Sequence, residues 1–261
     1  MRIRYFYTLH LGAGQLILAR WRKRFWRLTL LQCESTDQID RVLATLTVTP
    51  LPVVIALSDD QAILKIVSFP VAKTFKEIKM ELHAKAKHYF GHEANELVID
   101  AEVLKNVNTD KRIVTVRTAA IHRQSLDAIL APLQAQHIPI KMVTLTSLAL
   151  EKFIKKNLNK KDSATKAVIY IENQHLLFNI FFNYFVYTHC AVFSPASFTN
   201  DISRQLQFYQ STHVATNIDR LIMVGNQEVT LQLAKNFQCD FINAKDPQLT
   251  ISWGLAYSYG D

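Results

Sequence analysis

The residues best able to do chemistry sit near the start of the chain. In T-L-H-L-G-A-G-Q-L-I-L-A-R, residues 8–20, Gly12 and Gly14 cut an alternating apolar run. Glycines at a turn let backbone N–H groups close on an anion, so the stretch could cradle a phosphate. The structural alternative is a plain β-hairpin turn, because G-x-G here lacks the third glycine of a dinucleotide fingerprint and the Lys-Ser or Lys-Thr of a P-loop. A second constellation is A-R-W-R-K-R-F-W-R, residues 19–27, where Arg20, Arg22, Lys23, Arg24 and Arg27 interleave with Trp21, Phe25 and Trp26. Cations beside aromatic rings suit an anionic membrane surface or an acidic protein, and less well a single-stranded nucleic acid; a hairpin with inward aromatics and solvated arginines is the bland alternative. His83, His88 and His92 have spacing that invites a metal ion, but Gly91 ends the helix before His92 and no acidic outer shell accompanies them, so no metal site is expected. No G-x-S-x-G or H-E-x-x-H occurs, and no Asp/Glu pair can be assigned as acid and base.

The elements that must position these residues follow from hydrophobic period. Residues 1–9, 15–22 and 24–31 are strand-like and form a meander; Ser35 with Gln38 makes a capping box for a helix over 36–46; P-V-V-I-A-L then returns as a buried strand. The order recurs after N-K-K-D-S-A-T: strands A-V-I-Y-I, H-L-L-F-N-I-F-F and Y-F-V-Y-T-H-C-A-V precede a helix capped by Thr199 with Ile202, Leu206 and Tyr209 on its apolar face. Strand L-I-M-V-G, a helix over 227–237, strand D-F-I-N-A and a helix near 249–259 complete it. A repeated β-β-β-α-β order predicts two similar α/β lobes flanking a cleft. Segment 58–140 differs and reads as an inserted α/β module: Thr74 and Glu77 form a capping box, Phe75, Ile78, Leu82, Ala86 and Tyr89 share one helical face up to Gly91, and strand R-I-V-T-V-R-T-A-A leads to a helix around 122–136 that Pro132 should kink or shorten. The run K-F-I-K-K-N-L-N-K-K is the solvated end of a helix.

Composition sets the outer bounds. The chain has 261 residues, 49% hydrophobic and 20% charged, enough for one sizeable core or two modest ones. A net charge of +8 favours anionic partners without choosing among them. Cys33, Cys190 and Cys239 stand far apart, which suggests neither a disulfide framework nor a thiolate zinc site and suits a reducing cytoplasm. The N-terminus lacks the pattern of a secretory signal. The most apolar run, L-L-F-N-I-F-F-N-Y-F-V-Y, is short of the ~20 residues a membrane helix needs and holds Asn179 and Asn183, so it reads as two buried strands.

Several segments together resemble a known family. They are A-L-S-D-D-Q-A-I-L-K-I-V-S-F-P (56–70), V-I-D-A-E-V-L (98–104), I-P-I-K-M-V-T-L-T-S-L-A-L-E (138–151), D-I-S-R-Q-L-Q-F-Y-Q-S-T (201–212) and W-G-L-A-Y (253–257). In order and spacing the chain is similar to the type IV pilus assembly protein PilM and its short relatives HofM and the competence ComA proteins, which share an actin-like fold with FtsA. The resemblance implies duplicated ribonuclease-H-like lobes, the first (1A) at 1–57 plus 141–163 and the second (2A) at 164–261, with a 1C-type insertion at 58–140. The short run from C-A-V-F-S-P to residue 199 implies that subdomain 2B is missing.

An actin-like ATPase needs a phosphate hairpin in each lobe, acidic residues for Mg²⁺ and a Gly-Gly turn at the adenosine. Where the family's first hairpin reads D-I-G, this chain has His10, Leu11 and Gly12, followed by Ala13, Gly14 and Gln15. The second hairpin aligns with Tyr170, Ile171 and Glu172, then Asn173 and Gln174; the adenosine turn keeps Gly225 but continues with Asn226. With the metal-orienting carboxylate replaced by histidine and a glutamate at the second turn, neither ATP nor Mg²⁺ is an expected cofactor and no catalysis is expected. The resemblance instead implies a cytoplasmic scaffold of pilus assembly or DNA uptake, held at the inner membrane by the N-terminal tail of a PilN-like protein and linked through it to PilO-, PilP- and PilQ-type partners. Leu57, Met142, Leu145 and Leu148, where lobe and insertion cross, are the candidate walls of a groove for that tail. A working ATPase and a nucleic-acid module are the rival functions.

Overall fold

The computed structural model describes residues 3–12, 14–25, 27–108, 112–158, 164–172, 175–182, 184–192, 194, 196–212, 218–225, 240–242 and 249–260. The chain divides into two compact units, Met1–Ser58 with Gln136–Asp261, and Asp59–Ala135.

In the larger unit the chain opens with strands β1 (Arg4–Gly12), β2 (Gln15–Arg24) and β3 (Arg27–Thr36), paired antiparallel through tight turns. Helix α1 (Ile39–Val48) carries the chain back so that β4 (Val53–Leu57) pairs parallel to β1. All five β4 residues, V-V-I-A-L, are buried, as a central parallel strand requires. After the insertion, β8 (Ile140–Leu145) pairs parallel to β4, giving the sheet order β3-β2-β1-β4-β8, and α5 (Thr146–Asn157) follows. The chain then repeats itself. Strands β9 (Lys166–Glu172), β10 (His175–Phe182) and β11 (Tyr184–Val192) form a second meander, α6 (Phe198–Thr212) crosses over, and β12 (Arg220–Gly225) and β13 (Asp240–Phe241) join in parallel. The order β11-β10-β9-β12-β13 matches the first sheet position for position. The last helix, α7 (Thr250–Gly260), is apolar on nearly every side and correspondingly buried.

One core joins both sheets. Phe6, Trp21 and Val54 of the first sheet, Val168, Tyr170 and Leu177 of the second, and Ala149, Phe153, Leu255 and Ala256 of α5 and α7 belong to the same buried cluster. Trp21 meets Trp253 edge-on with centroids 4.5 Å apart, and its indole N–H donates to Thr8 Oγ1 at 2.8 Å, so the ring's polar tip is satisfied. Phe6 lies 4.5 Å from Tyr259. Helix α5 reaches the second sheet through Glu151, whose buried carboxylate accepts the Phe185 backbone N–H at 2.7 Å and a hydrogen bond from Lys155 at 2.6 Å. A second cluster, with Phe178, Phe198, Ile202 and Tyr209, fixes α6 on the outer face of the second sheet.

The smaller unit is an antiparallel sheet in the order β5-β7-β6, from β5 (Ala62–Pro70), β6 (Leu97–Asn108) and β7 (Ile113–His122). Ile78, Leu82, Ala86 and Phe90 pack helices α2 (Phe75–Ala84) and α3 (Ala86–Phe90) on it, and α4 (Arg123–Ala135) closes the unit.

Three expectations are corrected. Ser35 does not cap a helix: it and Thr36 remain on β3, Thr36 Oγ1 accepts from Gln38 N–H, and α1 begins at Ile39. The helix expected up to Gly91 breaks at Lys85 into α2 and α3, although both bonds of the Thr74–Glu77 capping box form and Gly91 ends α3 at φ +82°. Thr199 lies inside the first turn of α6, which starts at Phe198. Helix α4 runs through Pro132 to Ala135. The expected helix over 227–237, and Asn183 and Cys239, lie outside the described residues.

Gly254 sets how close α5 and α7 can come. A Cβ added there would stand 1.9 Å from the Ala149 carbonyl oxygen and 2.6 Å from its carbon, a clash with backbone that no rotamer relieves. Gly254→Ala is expected to lower the unfolding free energy by about 3 kcal/mol or more, since the helices must part to accept one methyl group. Urea unfolding checks this: the midpoint should fall at nearly constant slope.

Candidate functional site

The first strands of the two sheets present matching inner faces. On β1 these are Phe6, Thr8, His10 and Gly12; on β9 they are Val168, Tyr170 and Glu172. Both rows turn from apolar to polar as they approach their hairpin turns. Gly12 pairs with Gln15 at the first turn, with Gly14 at φ +76° between them, and Glu172 pairs with His175 at the second.

The two rows meet through a buried polar chain. The Thr146 hydroxyl, at the start of α5, donates its one proton to the Leu57 carbonyl at 2.9 Å. Its oxygen is therefore the acceptor for His10 Nε2–H, 3.2 Å away. That leaves Nδ1 of a neutral imidazole as a lone pair, and it faces Glu172 Oε1 at 3.4 Å. Two lone pairs would repel there, which disfavours an ionised carboxyl. Burial supplies the direction: it lowers the His10 pKa to about 4 and pushes Glu172 up to about 7, against a smaller opposing effect of the hydrogen bond from Tyr170. Burial thus favours the neutral form of both groups, and His10 Nδ1, though it faces Glu172, has no hydrogen-bond partner among the described residues. Tyr170, itself wholly buried, has its phenol pushed far up by burial and by the neighbouring carboxyl. Glu172 also lies directly on Gly12, where an added Cβ would fall 2.7 Å from Oε2 and 3.0 Å from Oε1. A side chain at position 12 would have to displace this carboxyl.

Other residues singled out in the sequence fall elsewhere. Leu57 and Leu145 pair across β4 and β8 and are buried, whereas Met142 and Leu148 are half-buried, Met142 packing on the joint core. Gly225 ends β12 opposite Ile171. Arg20, Arg22, Lys23 and Arg24 occupy the second half of β2, and Arg27 starts β3. Ala13, Asn173, Gln174, Asn226 and Trp26 lie outside the described residues. His88 meets Tyr89 edge-on and His92 meets His122 likewise, and among the described residues no three His, Cys, Asp or Glu side chains converge as metal ligands would. In the smaller unit a separate cavity of about 480 Å³ is lined by Asn95, Glu96, His122, Arg123, Gln124 and Ser125. Sequence reasoning passed over Thr146 as the link between His10 and the β4 backbone and over Glu151 as a buried acceptor. The only available signal was their polarity within an apolar helix start.

The family model for type IV pilus assembly protein PilM matches residues 32–211. The chain belongs to the PilM family. Among solved structures it is similar to a chain of a PilM–PilN type IV pilus biogenesis complex, with a TM-score of 0.80 at 14% identity and 98% of each chain covered. It is also similar to the cytoplasmic domain of EpsL, an inner-membrane component of the type II secretion system of Vibrio cholerae (TM-score 0.61, 12% identity, 98% of this chain and 95% of that one). A Bacteroides thetaiotaomicron protein with an actin-like ATPase fold gives a TM-score of 0.54 at 11% identity, covering 97% and 96%. Comparison with curated proteins by sequence gives no significant match. The fold of this PilM-family chain is therefore actin-like. Among its described residues no helix is long and apolar enough to cross a membrane.

The two burial-shifted groups make stability depend on pH. Glu172 titrates near 7 in the fold and near 4.5 when unfolded, so between those values the folded state holds the extra proton and stability falls as pH rises, levelling off above 7. His10 acts at the other end: its lowered pKa costs stability as pH falls from 6.5 towards 4. Glu172→Gln keeps the size of the side chain but cannot ionise. Relative to the parent it should gain stability progressively from pH 5 to 8, by at most about 3 kcal/mol. Parallel urea titrations across that range check it, and a constant difference at all pH values would contradict the proton assignment.

Proposed function

We propose that this PilM-family chain is a non-enzymatic scaffold of type IV pilus assembly, acting in piliation or DNA uptake, that binds the short cytoplasmic tail of a PilN-like inner-membrane protein. The observation that carries this reading is likeness over 98% of the chain to a component of a PilM–PilN complex, in a chain that belongs to the PilM family. Two features of the hairpins support the loss of nucleotide chemistry. His10 stands where the resemblance places a metal-orienting carboxylate, and it is fully buried and already engaged with Thr146. Glu172 sets a carboxyl against Gly12, in space that backbone N–H groups would have to offer to a phosphate. These residues do not fit ATP and Mg²⁺.

The proposed tail site uses the half-buried Met142 and Leu148, with Leu57 and Leu145 beneath them as support. A synthetic PilN-type tail titrated into the protein should give saturable heat, and Met142→Glu together with Leu148→Glu should weaken it about ten-fold or more. ATP with Mg²⁺ should leave the melting temperature unchanged. A nucleotide-dependent rise in melting temperature would favour a working ATPase, and a flat tail titration would remove the scaffold reading.

A further inference from the structure

The β2–β3 hairpin carries the most one-sided charge in the chain. No acidic residue precedes Glu34, while Arg4, Arg20, Arg22, Lys23, Arg24 and Arg27 crowd this end of the first sheet. Because Trp21 points inward onto Thr8 and Trp253, alternation puts Arg20, Arg22 and Arg24 together on the opposite face of β2. There the Arg20 guanidinium lies 6.0 Å from the Tyr5 ring centroid, Arg22 sits opposite Tyr5 and Thr29, and Arg24 opposite Arg27. Arg22, Arg24 and Arg27 are exposed. At the tip stands Phe25, 58% exposed and held at φ +56°, a conformation that bulky side chains seldom adopt. Neither burial nor backbone preference favours phenylalanine at that spot.

We infer that this hairpin tip docks on an anionic bilayer surface, with Phe25 entering the headgroup region and the arginines around it pairing with lipid phosphates. The order of chemistry along the hairpin carries the choice of occupant. An exposed aromatic leads and a collar of cations follows, which mirrors the layering of a bilayer, apolar beneath and anionic above. A nucleic-acid platform would need ring faces laid along a basic groove, but Trp21, the first aromatic of the motif, is wholly buried with its N–H spent on Thr8. The inference does not use the tail-binding reading.

The test is co-sedimentation of the full chain with vesicles of phosphatidylcholine alone or mixed with phosphatidylglycerol. Binding is expected to the mixed vesicles only and should fade with added salt. Reversing two charges in Arg22→Glu/Arg24→Glu should reduce partitioning about twenty-fold or more. Phe25→Gly should weaken binding several-fold while its melting temperature holds or rises, because glycine accepts the left-handed turn; a purely structural role for Phe25 would give the reverse. Equal binding to both vesicle types, no binding to either, or undiminished binding by Phe25→Gly overturns the inference. So does a single-stranded oligonucleotide that binds more tightly than anionic vesicles and loses affinity in Phe25→Gly. The double charge reversal should leave tail-peptide calorimetry in solution unaltered, so failure of one reading is distinguishable from failure of the other.

Discussion

The contact on which the larger unit depends is the crossing of α5 and α7, where the Ala149 carbonyl occupies the space a side chain at position 254 would need. Two helices approach this closely only when one offers bare backbone, and the consequence here is unusual sharing. Helix α5 follows the first sheet, yet its Glu151 holds the Phe185 N–H of the second. Helix α7 follows the second sheet, yet Trp253 and Tyr259 pack on Trp21 and Phe6 of the first. Each sheet is therefore roofed partly by the other's helix, and neither can open without breaking the core they hold in common.

That constraint fixes the distance between β1 and β9 and so brings their polar ends together. The resulting chain runs from Leu57 C=O through Thr146 to His10, with the Glu172 carboxyl against the far side of the imidazole. Its members are costly to bury singly and inexpensive together, since an unsatisfied buried donor or acceptor forfeits about 1–3 kcal/mol. This is a reason for burial to favour the neutral form of both His10 and Glu172: either charge alone would lack a compensating partner in a site that water barely reaches.

The sequence made the alternating strands legible because one face of each had to be apolar. Strands β10 and β11 begin and end where their hydrophobic runs do. The Thr74–Glu77 box was legible because both of its bonds are local. Ser35 carried the same local signal and failed, since pairing with β2 kept β3 extended through Thr36 and tertiary structure overrode the cap. Of the turn residues, His10 and Glu172 stood out as departures from an actin-like pattern and Gly12 as a kept glycine, but not as contacts of one another. They lie in different sheets, and hydrophobic period says nothing about which strand ends meet. Gly254, too, was visible only as a letter of W-G-L-A-Y; its role needs the Ala149 carbonyl, more than a hundred residues earlier, to be in place.

A cradle filled by a diffusible nucleotide has an occupancy that follows ligand concentration, and the spacing of its walls can follow in turn. A cradle filled by a side chain has no such dependence. In the proposed scaffold Glu172 would take that place: it is covalently part of β9, so its effective concentration at Gly12 is fixed, and the one variable left at the contact is its own protonation. On the scaffold reading this is a coherent design: the parts that hold the sheets together, Gly254 and the aromatic contacts of α7, stand apart from the hairpin turns, so the turns could lose nucleotide chemistry while the frame that presents a binding surface stayed intact.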